Sequence, residues 1–240
     1  MSRAVPALLA LLASATMVAA PARAIEARLE LDRLVVTEEI VEDDDFKLLS
    51  ALVEHRARVK VVHFHAMPGG DMTAALRMGT IIRSRGLDTI ATVGCMSACA
   101  FAFLGGVNRR LAIENTTSPP FLALHGPVDS QDPDVALAPS HLDRIFSYAT
   151  EMTAGRAARP VMERMMALKL HNFVYFVAVP RPRRPTETGA LECQSIKPPA
   201  NAEEMVRDCR PAPDLGALEL GLVTTNFVYR LAPGTPYRRP

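Results

Sequence analysis

Between residues 59 and 124, short β-branched apolar runs alternate with segments of helical period, and glycine or proline marks most of the joins. The runs at 59–64, 87–93, 110–113 and 121–124 are too short for core helices and read as buried strands. Between the first two, Met72, Ala75, Leu76, Gly79 and Ile82 recur on one face of a helix that Gly86 ends. A second, wholly apolar helix follows over 97–104, before Gly105-Gly106. Upstream lies an extended stretch at 29–40, centred on Leu34, Val35 and Val36. A helix then opens on Asp43-Asp44-Asp45, with Phe46, Leu49, Leu52 and Val53 as its apolar positions. Strand and helix repeated in this order specify an α/β fold. A parallel neighbour is reached only by a crossover of a dozen or more residues, so the sheet is parallel and the helices cover it.

Beyond His125 the pattern changes. Residues 142–152 and 161–170 read as helices separated by Gly155 and Pro160, and Met162, Met165 and Met166 suit a core-facing helix side. The stretch 180–213 holds seven prolines and reads as a surface insertion, with Arg181, Arg183 and Arg184 as solvated loop charges. Residues 215–223 suggest a short helix running into a final strand, and the tail 233–240 is expected to be mobile. This organisation is a single domain over 25–232, interrupted at 180–213.

The first 24 residues stand apart. Met1-Ser2-Arg3 is a short basic start, 4–20 is apolar, and Ala22-Arg23-Ala24 is a small-x-small cleavage site. That order is a secretory signal peptide, which places the mature chain in the periplasm or outside the cell. Pro6, Ser14 and Thr16 interrupt the apolar run and make it a poor permanent span, the alternative being a retained anchor. No cysteine follows the cleavage site, which disfavours a lipoprotein. A net charge of +1 offers no basic surface for nucleic acid or anionic membrane. In an oxidising compartment the four cysteines are free to pair. Cys193 and Cys209 bracket the proline-rich stretch, where a disulfide would remove about 3 kcal/mol of unfolded-chain freedom. Cys95 and Cys99 flank Ser97, and either a bridge across a turn or two buried thiols fits them. The spacing does not match a four-cysteine zinc site.

Three segments carry the candidate chemistry. Met67-Pro68-Gly69-Gly70-Asp71 joins a strand to a helix, where glycine permits close backbone approach and the helix start offers free N–H groups. Gly94-Cys95-Met96-Ser97-Ala98-Cys99 is a second such junction. Ser97 is either the N-cap of the apolar helix or a nucleophile served by the N–H groups of Ala98 and Gly70 as oxyanion donors. Leu124-His125-Gly126-Pro127 ends a third strand. His125 is either a structural histidine or the base that accepts the hydroxyl proton.

Taken in order, Pro-Gly-Gly then helix, Met-Ser-Ala-Cys-Ala-Phe then apolar helix, and Ala-Leu-His-Gly resemble the proteolytic subunit of the Clp protease. The closer likeness is to exported bacterial relatives in the same crotonase-like superfamily, which carry a Cys-x-Ser-Ala-Cys box. The resemblance spans 34–126 and resumes at 215–223, a helix followed by Gly221-Leu222-Val223. It implies a Clp/crotonase-type twisted sheet with a C-terminal helical arm, and self-association through that arm. It also implies Ser97 as nucleophile, His125 as base, and Gly70 and Ala98 as oxyanion donors. The family's third member is an acid, but the matching neighbourhood here is His171-Asn172. Asn172 takes the orienting role, with Asp143 and Glu151 as the fallback acids.

No mature-chain lysine among Lys47, Lys60, Lys169 and Lys197 stands where a Ser–Lys base is expected, and no Gly-x-x-x-x-Gly-Lys loop binds ATP. His63 and His65 share one face of a strand, but no third ligand stands out, so no metal and no cofactor are expected. The resulting expectation is an exported serine hydrolase acting on peptide or protein without an ATPase partner. The alternative is an inactive binding or assembly protein on the same scaffold.

Overall fold

The computed structural model describes residues 23–114, 120–125, 138–157, 159–166, 173–181, 184–195, 209–211, 216–232 and 234–239. Residues 161, 164–166, 173–181, 184–195 and 209–211 are described as backbone alone. The first strands, β1 (Glu26–Glu30) and β2 (Arg33–Thr37), form a hairpin. The stretch expected to run extended from 29 to 40 is therefore broken at Leu31-Asp32, where Leu31 takes a φ of 57°. A two-residue hairpin loop requires such left-handed backbone.

The alternation then proceeds as expected: α1 (Asp44–Glu54), β3 (Val61–Met67), α2 (Met72–Ser84), β4 (Asp88–Met96), α3 (Ala98–Leu104), β5 (Arg109–Ile113) and β6 (Leu122–Leu124). β2, β3 and β4 pair in parallel. β4 then forks, pairing β5 through its first half and β6 through its last residues, both in parallel. The fold is thus α/β around a mostly parallel sheet. In α1 the apolar side is shifted from the expected one. Leu48 and Leu52 are buried, whereas Phe46 and Val53 are exposed, because Asp44 and Asp45 turn inward. Asp44 accepts hydrogen bonds from the N–H groups of Ile25 and Val41 (3.1 and 2.8 Å), which fastens the start of β1 to the helix.

Side chains alternate across the sheet. Leu34, Val36, Val62, Phe64, Ala91 and Leu111 meet the helices on one face. Val61, Ile90 and Ala112 face the other way. α2 and α3 approach closely because Gly79 has no side chain. A Cβ there would overlap the hydroxyl of Tyr148, which donates to the Phe101 carbonyl (2.9 Å). Tyr148 lies on α4 (Pro139–Met152), which is followed by α5 (Arg159–Met166).

The C-terminal part departs from expectation in three places. The proline-rich insertion begins inside a hairpin of two strands, β7 (Phe173–Arg181) and β8 (Arg184–Ser195), and β9 (Cys209–Pro211) pairs with β8. The β-branched and aromatic content of 173–179 favours strand, and the register irregularity falls at Pro180-Arg181, where the prolines gather. Residues 217–221 form hydrogen-bonded turns rather than a helix, and β10 (Tyr229–Arg230) pairs β5. The tail expected to be mobile packs on the second sheet face. Tyr237 is buried, its hydroxyl donates to Asp88 (3.0 Å) and Arg239 Nε to the same carboxylate (3.0 Å). No described helix is long and apolar enough to cross a membrane. Residues 1–22, the core of the expected signal peptide, lie outside the described residues.

Candidate active site at the ends of β3, β4 and β6

Ser97 sits at the sharp turn from β4 into α3, with φ 54° and ψ −126°. Positive φ at a non-glycine residue costs on the order of 1–3 kcal/mol and persists only where the surroundings impose it. Here the imposing contacts are visible. The Ser97 N–H donates to the Ala123 carbonyl of β6 (2.8 Å), and its carbonyl accepts from the Ala100 N–H (3.0 Å). A disulfide joins Cys95 to Cys99 across the turn, with the Cα atoms 5.3 Å apart, so the bridge is present rather than two thiols. The side chain makes no capping hydrogen bond. An N-cap serine adopts extended backbone and accepts from the first turn. Ser97 does neither, and the capping reading fails.

The Pro-Gly-Gly loop lies against this turn. Gly69 has φ 115°, and a Cβ on it would stand 2.7 Å from Ser97 Cβ, 2.8 Å from the Met96 carbonyl oxygen and 3.2 Å from Ala98 N. Gly70, with φ 122°, forms a parallel bridge to Ile40. The Gly69 carbonyl accepts from Ile40 N–H (2.7 Å), and the Asp71 N–H donates to Ile40 (2.7 Å). A parallel bridge engages the flanking groups, so the Gly70 N–H points away from Ile40, toward the β4 side of β3. Asp71 Oδ1 accepts from Ala74 N–H (2.6 Å) and caps α2, which holds the loop at the helix start. Ala98, the first residue of α3, has an N–H with no intrahelical partner by position.

β6 brings the third segment. Its register sets Cys95 against Leu122 and Met96 against Ala123. His125 therefore leaves β6 just past the level of Ser97, and it is half-buried. Gly94 admits the Phe121 ring below the turn, where a Cβ would stand 2.6 Å from it. Ser97, Ala98, the two glycines and the strand end carrying His125 are thus gathered at one end of the sheet.

The remaining expected members fall elsewhere or outside the described residues. Asn172 lies outside the described residues. Asp143 and Glu151 are exposed on α4, and Asp143 pairs with Arg159 (3.0 Å). Lys47 and Lys60 are paired with Asp44 (2.9 Å) and Asp32 (3.3 Å). The register sets Cys193 opposite Cys209. Direct antiparallel partners have Cα atoms about 4.5–5.5 Å apart, within the span of a disulfide. Their side chains lie outside the described residues.

A second polar cluster occupies the sheet face away from the helices. His63 Nε2 and His65 Nδ1 both meet Thr92 Oγ1, at 2.7 and 2.8 Å. Burial, with the neighbouring His65 and the Arg33 and Arg28 guanidinium groups, pushes the His63 imidazole down to about 3. A threonine hydroxyl has one proton and two lone pairs, so Thr92 either accepts from both rings or accepts from one and donates to the other, according to their tautomers. Sequence spacing alone identified these two histidines but not Thr92, whose place beside them is set by the β3–β4 register.

No family model matches the sequence, and no curated protein matches it. Among solved structures, a mutant of the 1510-N membrane-bound stomatin-specific protease is similar at 14% identity and a TM-score of 0.40. The match covers 54% of this chain and 66% of that one, just under two thirds of its length. At that score the superposition is too loose to carry residues from one chain to the other.

Proposed function

We propose that this chain is an exported serine hydrolase, a peptidase of the Clp/crotonase type that works without an ATP-driven partner. The observation that carries the proposal is the backbone of Ser97. A serine held at φ 54° on a strand-to-helix turn, with its side chain released from capping, is presented and not buried in local bonds. In this reading the Ser97 Oγ attacks an acyl carbon while His125 takes its proton. The oxyanion forms between the N–H groups of Ala98 and Gly70, and His125 returns the proton to the leaving group. Water then releases the acyl group by the same steps in reverse roles. Asn172 orients the imidazole. An amide stabilises an imidazolium less than a carboxylate does, so the enzyme is expected to be slow.

Export is supported by the Cys95–Cys99 disulfide, a bond that survives in oxidising compartments. It is supported too by the position of Ile25, anchored to Asp44 immediately after the candidate cleavage site. Self-association and a peptide or protein substrate rest on the family resemblance. Treatment of the purified mature protein with a fluorophosphonate probe tests the reading. Labelling at Ser97 that disappears in Ser97→Ala and falls steeply in His125→Ala is the expected result. A folded protein that never labels, in the presence of a reactive control hydrolase, would leave the inactive scaffold as the better account.

A further inference from the structure

Glu114, just beyond β5, brings a carboxylate to the two histidines of β3. One nitrogen from each ring and one carboxylate oxygen lie within 4.8 Å of one another. We propose that His63, His65 and Glu114 form a binding site for a divalent transition-metal ion of borderline softness, with Zn²⁺ as its natural probe. The inference is independent of the serine chemistry and uses none of its residues.

Donor chemistry supports it first. Two imidazoles and one carboxylate are a donor set for zinc and its neighbours in the transition series, and three protein ligands leave a position for water. Zinc bonds of about 2.0–2.2 Å set ligand atoms about 3.3–3.6 Å apart in a tetrahedron, so atoms within 4.8 Å of one another need to close by at most about 1.5 Å. His65 and Glu114 are half-buried, whereas His63 is fully buried and held by Thr92.

The state of His63 is a second, separate observation. Its Nδ1 is buried and has no hydrogen-bond partner among the described residues. Thr92 holds the other nitrogen at 2.7 Å. A buried ring with one nitrogen tethered and one unpaired costs about 1–3 kcal/mol. A metal-ligating imidazole is commonly steadied through its second nitrogen by a polar neighbour, and Thr92 is placed as such a neighbour.

The location has a consequence. His65 and Thr92 come directly before the two irregular residues of the sheet, Ala66 (φ 52°) and Val93 (φ 64°), where the β3–β4 register slips. An ion there would tie β3, β4 and the end of β5 together just ahead of the segments that carry Gly69 and Ser97.

The test uses the mature, tag-free protein with its disulfides intact, freed of metal with a chelator. Zn²⁺ is titrated against a chromophoric competitor, and Co²⁺ is added separately to read its visible ligand-field bands. One Zn²⁺ per chain is expected, with Co²⁺ bands of four-coordinate intensity. Affinity should fall by more than about 100-fold in both Glu114→Gln and His65→Ala. Both positions are half-buried, and circular dichroism identifies folded variants, so His63 need not be altered. Failure of Zn²⁺ to bind at tens of micromolar, or affinity equal to wild type in both folded variants, would overturn the site. The second outcome would assign the binding to other histidines.

Discussion

Gly69 is the residue on which the active-site geometry turns. Its neighbours leave no room for a Cβ, and its φ of 115° is disfavoured for any other residue. Gly69→Ala must therefore move the loop away from Ser97. The site depends on positions held within about half an ångström, so fluorophosphonate labelling should slow by about 100-fold or more. Thermal unfolding should report a loss of about 1–3 kcal/mol. Labelling at the wild-type rate in Gly69→Ala would show that the loop does not set the site. The motif containing Gly69 was legible in the sequence. That Gly69 lies against Ser97 while Gly70 sits in a bridge beside Ile40 was not, because the two glycines differ only in what lies beside them.

The helical layer depends on Gly79 in a way that helix propensity opposes. In an exposed helix, glycine to alanine gains about 1 kcal/mol. At Gly79 the added methyl meets the Tyr148 hydroxyl, which is buried and bonded to Phe101. Overpacking costs about 1–3 kcal/mol and outweighs the gain, so Gly79→Ala should lower stability in denaturant unfolding. Tyr148→Phe removes the oxygen that collides. The double variant should recover part of the loss, and simple additivity in that cycle would refute the steric account. The expected helical face contained Gly79, yet periodicity could not reveal why a glycine stands there. The same limit explains α1, where Phe46 and Val53 fit the period and are nonetheless exposed. Two inward aspartates set the helix rotation instead: Asp44 receives the Ile25 and Val41 N–H groups and pairs with Lys47, and Asp45 faces Arg77.

At the scale of the molecule, the C-terminal tail closes the second face of the sheet. Asp88, fully buried, accepts from Asn108 (2.9 Å), Tyr237 and Arg239. Burial and the Asp88 carboxylate push the Tyr237 hydroxyl up, which keeps it a donor. Tyr237→Ala should cost about 3–5 kcal/mol, as for other large aromatic truncations. Deletion of 234–240 should cost at least as much, because it removes the Arg239 donor to the buried Asp88 carboxylate as well as Tyr237. A deletion variant that melts with the full chain would contradict this packing. Arg109 makes the other long-range tie, donating to the Gly221 carbonyl through Nε and Nη2 (3.1 and 2.8 Å) and so fastening the 217–221 turns to β5.

Local periodicity and punctuation determined the parallel α/β core, the order of its elements from β2 to β6, and the three junctions that carry Ser97, Gly70 and His125. These follow from the sequence because a buried strand, an amphipathic helix and a glycine turn each declare themselves within a few residues. Tertiary structure alone decided the strain at Ser97, the docking of the tail, the β7–β8 hairpin in a proline-rich region, and the meeting of Glu114 with His63 and His65. Each of these depends on strand register and packing between residues distant in the chain. One position of slippage reverses which face a side chain occupies, and no local pattern records that choice.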